Sequence, residues 1–258
     1  MNLLKKDALF HNFETPLWTC KRVRQLIAAR LHKKLDIVTI WRLLRSLGLT
    51  NQAPERRALQ ENPREGKRWL KETWPKIKEH RRRWQAMLYF LDESGVSLIP
   101  VVGKTWAPKG KAPVIRVTNA RGGFCLSSAI SPAGRMVFRI ERGRVNSKTF
   151  IDFLVNIMSH HPHRKIIVIA DQARPHIAKL VKEFVLSNQK RIAIYYLPPH
   201  SPHLNPDEKV WNHLKNQKLK AHQARTRKEL KPLLVTNMKS MQKDKSLIHS
   251  FFIQFSWL

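Results

Sequence analysis

Acidic residues are scarce in this sequence of 258 residues. Only 18 aspartates and glutamates are set against 49 lysines and arginines, which gives a formal net charge of +31 and a pI near 11.0. A solubilising surface on a small domain needs a net charge of only about 2–8. A charge of this size therefore indicates a polyanionic partner, and nucleic acid is the commonest one.

Cysteines and long apolar runs are also lacking. Cys20 and Cys125, the only cysteines, exclude a disulfide framework and a cysteine-based zinc site. No apolar run reaches the roughly 18 residues of a membrane-spanning helix, and the N-terminal MNLLKKDALFHNF lacks the apolar core of a signal peptide. We therefore predict a cytoplasmic protein with no membrane partner.

The first 50 residues show the apolar spacing of two short helices joined by a brief turn, RVRQLIAARLH and DIVTIWRLLRSLGL. Asp36 is a plausible N-cap of the second helix, and Gly48 a plausible stop. The expected buried stripes are Val23, Leu26, Ile27 and Leu31 in the first helix and Ile37, Ile40, Trp41 and Leu44 in the second. The pattern predicts a helix-turn-helix.

The opposite face of the second helix carries Thr39, Arg42 and Arg45. A recognition helix places donors for phosphates and base edges on such a face, so these residues are candidate DNA contacts. The alternative is an ordinary amphipathic helix with solvated arginines. The net charge favours DNA binding.

A basic helical connector follows, and the division that we predict is 1–55 for the helix-turn-helix domain, 56–84 for the connector and 85–258 for a second domain. Pro75 is expected to interrupt the connector helix. Its last residues, Arg81, Arg82 and Arg83, are further candidate DNA contacts.

The second domain has the pattern of an α/β fold. QAMLYFLDESGVSLIP predicts a strand ending near Asp92, a turn at Ser94–Gly95 and another strand, and VIRVTNARGGFCLSSAISPAGRMVFRIER predicts further short strands. KIIVIAD and RIAIYYLP are typical of buried strands. SKTFIDFLVNIMSH and ARPHIAKLVKEFVLSN predict helices, the second with Pro175 in its first turn. Strand-helix alternation implies a sheet with helices on both faces.

Three acidic residues follow or flank these elements. Asp92 and Asp171 close two strands, and Glu208 opens the helix after YYLPPHSPHLNP. Ligands in α/β folds gather at the carboxyl ends of strands, and Mg²⁺ binds carboxylates together with substrate phosphates. Phosphodiester cleavage is the chemistry that such a set supports.

Each of these acids also has a structural alternative. Asp92 could bond a turn amide, and Asp171 could cap the following helix. Asn205 as N-cap and Pro206 as the first helical residue would put Glu208 in a capping box. Glu93, the neighbour of Asp92, should point to the opposite face of the strand and is the less favoured ligand.

Five motifs in order give this chain a resemblance to a known family. They are WTCKRVRQLIAARLHKKLDIVTIWRLLRSLGL, LYFLDESGVSL, TWAPKGKAP, IIVIADQARPHIA and YYLPPHSPHLNPDEKVWNHLK. From about Trp18 to Lys215 the sequence resembles DDE transposases of the mariner superfamily, particularly those of bacterial insertion sequences, with their winged helix-turn-helix and catalytic domain. It departs from the family at Gln172, where the family has Asn, and at His200, where it has Tyr.

The resemblance implies a ribonuclease H-like fold and two divalent ions, Mg²⁺ or Mn²⁺, with Asp92, Asp171 and Glu208 as catalytic ligands. Gln172, His176 and Asn205 would orient these ligands or contact phosphate. The protein would cut terminal inverted repeats and transfer the strand into target DNA at TA. Partners implied are double-stranded DNA and a second copy in a homodimer, in the bacterial nucleoid.

Two other functions stay open at this point. Such transposases usually carry two helix-turn-helix units, and this sequence has room for one, which favours a truncated copy with weak end recognition. A catalytically inactive, transposase-derived DNA-binding protein is therefore the main alternative. A host nuclease of the same fold, which would cleave without end specificity, is the other.

Overall fold

The computed structural model describes residues 4–52, 54, 59–141 and 143–258. The chain divides into two compact units, Met1–Arg57 and Ala58–Leu258. None of the helices in the described ranges is both long and apolar enough to cross a membrane.

The described residues of the first unit form two α-helices and a short 3₁₀ turn at Leu9–His11. The helices are α1, Cys20–Leu31, and α2, Ile37–Ser46. Asp36 caps α2 by accepting the Thr39 amide at 2.9 Å, and the left-handed φ of +77° at Gly48 lies just beyond its end. Both signals were predicted and are confirmed. Residues 4–52 contain no β-strand.

The buried stripe of α2 is narrower than predicted. Ile40 is fully buried, but Trp41 is 55% exposed, so the prediction of a buried Trp41 is wrong. Leu31 at the end of α1 is exposed as well. Two short helices can bury only a narrow stripe of side chains. Because successive residues of a helix are turned by about 100° from each other, Ile40 lies in this stripe and Trp41 lies outside it.

The second unit is a mixed sheet with helices on both faces. Its helices are α3 Pro63–Arg68, α4 Trp74–Trp84, α5 Ser147–Ser159, α6 Lys179–Ser187, α7 Glu208–His213, α8 Arg227–Lys243 and α9 Lys245–Ser250. Its strands are β1 Met87–Ser97, β2 Gly123–Ser131, β3 Arg135–Glu141, β4 Ile166–Ala170 and β5 Ile192–Tyr196. The strand order is β3-β2-β1-β4-β5, antiparallel from β1 to β3 and parallel from β1 through β4 to β5.

Side chains of β1 alternate between two hydrophobic cores. Leu88 and Phe90 pack with Trp211 of α7 and with α8 on one face. Tyr89 and Leu91 pack with Phe150 of α5 on the other. This period of two decides which face each later residue of β1 reaches.

Strand β1 is one continuous strand, so the predicted turn at Ser94–Gly95 is wrong. Both residues stay in the antiparallel ladder, opposite Leu126 and Cys125 of β2. A glycine weakens a strand, but the neighbouring strand supplies the ladder bonds here. The stretch VIRVT, residues 114–118, forms no strand, which corrects another expectation.

Two further boundaries differ from the sequence patterns. Helix α6 begins at Lys179, after a turn that contains Pro175. This turn brings His176 back to the end of β4, where its ring lies 2.7 Å from Asp171. Strand β5 is an edge strand and is half-buried over most of its length, whereas a fully buried strand was predicted.

The connector helices pack on the sheet. The path from Pro63 to Trp84 stays helical, with a π-helical segment at Trp69–Thr73. Pro75 comes just after this π-helical segment, and the backbone stays helical through it. The prediction that Pro75 interrupts the connector helix is therefore wrong. Trp69, Trp74 and Ile77 belong to the same core as Phe90.

Candidate active site

A cavity of about 330 Å³ lies where β1, β4 and the start of α7 meet. Asp92 of β1, Asp171 directly after β4, and Glu208 at the start of α7 all line it. The segment Leu197–Pro202, which leads from β5 to α7, supplies most of the remaining wall. The three acids singled out in the sequence therefore line one cavity.

Asp92 is surrounded by negative charge. Its Oδ2 accepts a hydrogen bond from Trp211 Nε1 at 2.9 Å. Burial, followed by the charges of Glu208, Glu93 and Asp171, raises the pKa of Asp92 well above its usual range, and the bond from Trp211 offsets this only partly. Because β1 continues past it, Asp92 does not end its strand with a turn bond, and the structural alternative for it loses its basis.

Asp171 has the opposite environment. His176 Nδ1 lies 2.7 Å from its Oδ1, and the Ala173 amide donates to the same oxygen at 3.0 Å. Burial pushes the pKa of Asp171 upward, but these hydrogen bonds and the charge of His176 outweigh it and hold the pKa below its usual value. Asp171 does not cap α6, which begins eight positions further on at Lys179.

His176 is the group that stabilises this carboxylate. It is only 1% exposed, and its ring stacks on Phe150 with centroids 4.1 Å apart. Burial lowers the pKa of His176, yet hydrogen bonds to Asp171 and Glu93 and their charges raise it to about 10. The ring is therefore charged at neutral pH.

Glu208 is the first residue of α7. Asp207, which precedes it, makes no side-chain cap bond. Asn205 does act as an N-cap, because its Oδ1 accepts the Asp207 amide. Its own amide, however, donates to the Pro202 carbonyl, so Glu208 does not complete a capping box with it.

Burial raises the pKa of Glu208. The charge of Lys215 lowers it and that of Asp171 raises it, and the net result is a raised pKa. Lys215 Nζ in turn donates to Ser94 Oγ of β1 at 2.6 Å.

Asn205 and Gln172 hold the backbone around the cavity. Asn205 Nδ2 donates to the carbonyl of Leu91 at 3.0 Å, and its Oδ1 accepts the Asp207 amide, which fixes the start of α7 beside Asp92. Gln172 Nε2 donates to the carbonyl of Leu197 at 2.8 Å, which fixes the loop after β5. Both side chains line the cavity, and both orient backbone rather than a carboxylate.

Asp207, the acidic neighbour that the sequence analysis set aside in favour of Glu208, lies beside the cavity and does not line it. It is fully buried, its Oδ1 accepts from Ser128 Oγ of β2 at 2.9 Å, and its Oδ2 has no hydrogen-bond partner. Burial and then the charge of Asp92 raise its pKa well above the usual range. Asp207 shares the helical spacing of the buried Val210, Trp211 and Leu214, a signal that could have placed it in the interior.

The donor set suits a hard divalent cation. Three carboxylates line the cavity, and its described lining contains no lysine or arginine. Burial first, and then the charges of neighbouring carboxylates, raise the pKa of Asp92 and Glu208. Carboxylate oxygens are the ligands that Mg²⁺ prefers. As the side chains stand, no three His, Cys, Asp or Glu groups in the described parts of the chain are arranged to hold one ion.

The predicted DNA contacts are exposed. Arg42 and Arg45 project from α2, and the guanidinium of Arg45 lies 5.8 Å from the ring centroid of Trp41. The hydroxyl of Thr39 donates to the carboxylate of Asp36, so it is engaged in the helix cap. Arg81, Arg82 and Arg83 form the exposed last turn of α4.

Comparison with known proteins connects this cavity to an enzyme family. The sequence profile described as a DDE superfamily endonuclease matches residues 87–231, more than half of the chain. The chain belongs to the DDE superfamily endonucleases. A second profile, a winged helix-turn-helix, matches residues 14–73. No curated protein sequence matches the chain. The predicted endonuclease and the predicted helix-turn-helix are thus confirmed.

Solved structures of the Mos1 transposase share the fold. The paired-end complex with the left transposon end has a TM-score of 0.68 at 17% identity, covering 99% of this chain and 76% of the other. The Mos1 strand transfer complex gives 0.65 at 18%, with coverages of 99% and 75%. The Mos1 paired-end complex with Mn gives 0.67 at 17%, with coverages of 100% and 76%. The likeness confirms the predicted fold class, a ribonuclease H-like domain preceded by a helical unit.

Proposed function

We propose that the protein is the transposase of a bacterial insertion sequence. It cuts DNA at terminal inverted repeats and transfers the freed strand into target DNA, with TA as the target. One observation carries the proposal: in a DDE superfamily endonuclease, Asp92, Asp171 and Glu208 line a single cavity between β1 and the carboxyl end of β4. The net charge of +31 supports a DNA substrate.

Asp92, Asp171 and Glu208 would hold two divalent ions, Mg²⁺ or Mn²⁺. Mos1 paired-end complexes have been solved with Mn and with Mg, and the crowded carboxylates of this chain provide the hard oxygen ligands that such ions prefer. Bound there, the ions supply Lewis acidity that stabilises charge on the attacking and leaving oxygens of a phosphodiester.

The protein side chains prepare the site for this chemistry in three ways. His176 keeps Asp171 ionised and oriented. Trp211 fixes one oxygen of Asp92, and Asn205 fixes the start of the helix that carries Glu208. Because each carboxylate sits on a separate anchored element, little rearrangement of the backbone is needed before DNA is cut.

DNA would be bound by the exposed arginines of α2 and α4. The Mos1 paired-end complex contains a transposon end, and we propose that this chain likewise binds its ends, as a homodimer. Arg42 and Arg45 would contact the inverted repeats, and Arg81, Arg82 and Arg83 would add phosphate contacts. Such binding falls steeply with salt concentration.

Nicking of DNA that carries the inverted repeats flanking the gene tests the catalytic proposal. With Mg²⁺ or Mn²⁺ the purified protein should nick this DNA, and Asp171→Asn should lower the rate by about 1,000-fold or more, as losing one member of a catalytic set commonly does. Asp152→Asn is the matched control, since Asp152 is an exposed aspartate of α5 outside the cavity. Undiminished nicking by Asp171→Asn would remove Asp171 from the catalytic role.

DNA binding has a separate test. Arg42→Ala and Arg45→Ala should weaken binding to the inverted repeats, by about 1–3 kcal/mol for each residue that reads a base. Arg42→Lys is the control, because lysine keeps the charge but loses the bidentate geometry. Affinity unchanged in both alanine variants, measured at fixed salt, would exclude α2 as the recognition helix.

The alternative of an inactive DNA-binding protein is not favoured, because all three acids are present and line one cavity. A host nuclease differs from a transposase in its substrate preference. Equal cleavage of DNA with and without the inverted repeats would favour the nuclease.

A further inference from the structure

Glu93 follows Asp92 on β1 and points to the other face of the sheet. Alternation along the strand sends Asp92 toward Trp211 and Glu93 toward His176, whose Nε2 lies 3.0 Å from Glu93 Oε1. Glu93 is not among the residues that line the cavity. It therefore faces the back of the site rather than the space where DNA and metal would bind.

Each ring nitrogen of His176 contacts a carboxylate. Its Nδ1 lies 2.7 Å from Asp171 Oδ1, its Nε2 contacts Glu93, and Phe150 stacks on its face with an interplanar angle of 27°. The backbone is fixed too, since Tyr196 OH donates to the carbonyl of His176 at 2.9 Å. The side chain of His176 is only 2% exposed, so water has little access to its ring nitrogens as a substitute partner.

We propose that Glu93 is a positioning residue for catalysis: it fixes the ring of His176, and the ring orients the carboxylate of Asp171 toward the cavity. The proposal rests on the proposed role of Asp171 as a metal ligand. It assigns the two neighbouring acids of β1 different tasks, Asp92 in the cavity and Glu93 behind Asp171.

The contacts explain why the effect should pass through His176. Without Glu93, the buried Nε2 loses its acceptor, and a buried polar group without a partner is costly. The ring would then turn or shift to find another partner, and its bond to Asp171 would loosen. Outer partners of this kind typically change metal affinity by about 10–100-fold.

Binding of Mn²⁺ to the full-length protein tests this chain of contacts, measured by electron paramagnetic resonance below the unfolding temperature of every variant. Glu93→Ala should weaken Mn²⁺ binding by about tenfold or more, while Glu93→Gln, which keeps an acceptor oxygen, should retain most of the affinity. Glu183→Ala is the matched control: Glu183 is an exposed glutamate on α6 that pairs with Lys179. It should bind Mn²⁺ like the unaltered protein.

A double-mutant cycle separates positioning from direct ligation. If Glu93 acts through His176, then Glu93→Ala should add almost nothing to the loss caused by His176→Ala. An equal loss from Glu93→Ala in both backgrounds would overturn the proposal, and so would unchanged Mn²⁺ affinity in Glu93→Ala alone.

A readout without metal keeps the inference separable from the proposed function. In protein labelled with ¹⁵N-histidine, both ring N–H protons of His176 should be protected from exchange, and Glu93→Ala should abolish protection at Nε2. Failure of the unaltered protein to bind Mn²⁺ would overturn the proposed metal role together with the catalytic task assigned to Glu93. An unchanged ring N–H pattern in Glu93→Ala would overturn the Glu93–His176 link alone.

Discussion

The middle of β1 and the end of β4 each present an aspartate to the same cavity, yet their surroundings are opposite. Asp92 lies among Glu93, Asp171 and Glu208, which together with burial raise its pKa. Asp171 has the charged His176 beside it, and its pKa is lowered. The protein thus holds Asp171 in its ionised form. The ionised form of Asp92 would instead be stabilised by a nearby cation.

The difference shows that two residues of one catalytic set have different needs for metal. Asp171 is paired within the protein, so it is a formed anionic ligand before any ion enters. Asp92 has only a neutral donor, Trp211, against three negative neighbours. A bound divalent ion would relieve the repulsion around Asp92 more than that around Asp171. Three predictions test this contrast between Asp92 and Asp171.

The largest expected effect is a split between activity and stability in two matched variants. Asp92→Asn and Asp171→Asn should each lower nicking by about 1,000-fold. At pH 7 and without metal, Asp92→Asn should raise the free energy of unfolding by about 1 kcal/mol, because a buried charge is removed. Asp171→Asn should lower it by about 1 kcal/mol or less, because a half-exposed ion pair is lost.

The signs follow from the two pKa shifts. A carboxylate with a raised pKa costs the protein stability as the pH rises from its unfolded value, near 3.8, through the folded pKa, and one with a lowered pKa adds stability above that unfolded value. Urea denaturation of both variants at pH 7 measures the difference. Shifts of the same sign would break the contrast.

An intermediate effect is expected at the anchor of Asp92. Trp211→Phe keeps most of the packing but removes the bond from Nε1 to Asp92 Oδ2, so nicking should fall by about tenfold, the lower range for an outer-shell contact. Trp84→Phe is the control, since Trp84 contacts His80 rather than Asp92. Equal rates in the two variants would show that Trp211 does not orient Asp92.

The smallest effect is expected at Asp207, whose pKa is raised by burial and then by the charge of Asp92. Its folded pKa is raised, so its ionisation costs stability as the pH rises through that value, and below about 3.8 the cost disappears. Asp207→Asn should therefore raise Tm at pH 7 by about 2–4 °C, the shift that 1 kcal/mol gives in a domain of this size. The gain should vanish at low pH.

An asparagine at position 207 can still accept the bond from Ser128 Oγ. A lower Tm at pH 7, or a gain that is the same at all pH values, would show that the buried charge of Asp207 is not what limits stability there.

Periodicity and motif order predicted the elements that carry the site. The apolar run IIVIA became β4, all of it buried, and Asp171 follows it at the cavity. Glu208 begins a helix as the pattern after the proline-rich segment predicted. These features depend on local sequence, which is why they could be read without a structure.

Features that depend on distant partners could not be predicted. Gly95 stays in β1 only because β2 pairs with it, and the turn before α6 exists because His176 returns to Asp171. The alternation that turns Glu93 away from Asp92 was predicted, but the side chain that Glu93 contacts on that other face was not. A sequence alone does not show that the buried histidine lies there.

The central claim is that Asp92, Asp171 and Glu208 hold divalent metal in one cavity. Anomalous diffraction from crystals grown with Mn²⁺ tests it most directly. We expect a Mn²⁺ peak about 2 Å from a carboxylate oxygen of each of these residues, with one or two ions in the cavity. An empty cavity at saturating Mn²⁺, or a peak bound only by other side chains, would contradict it.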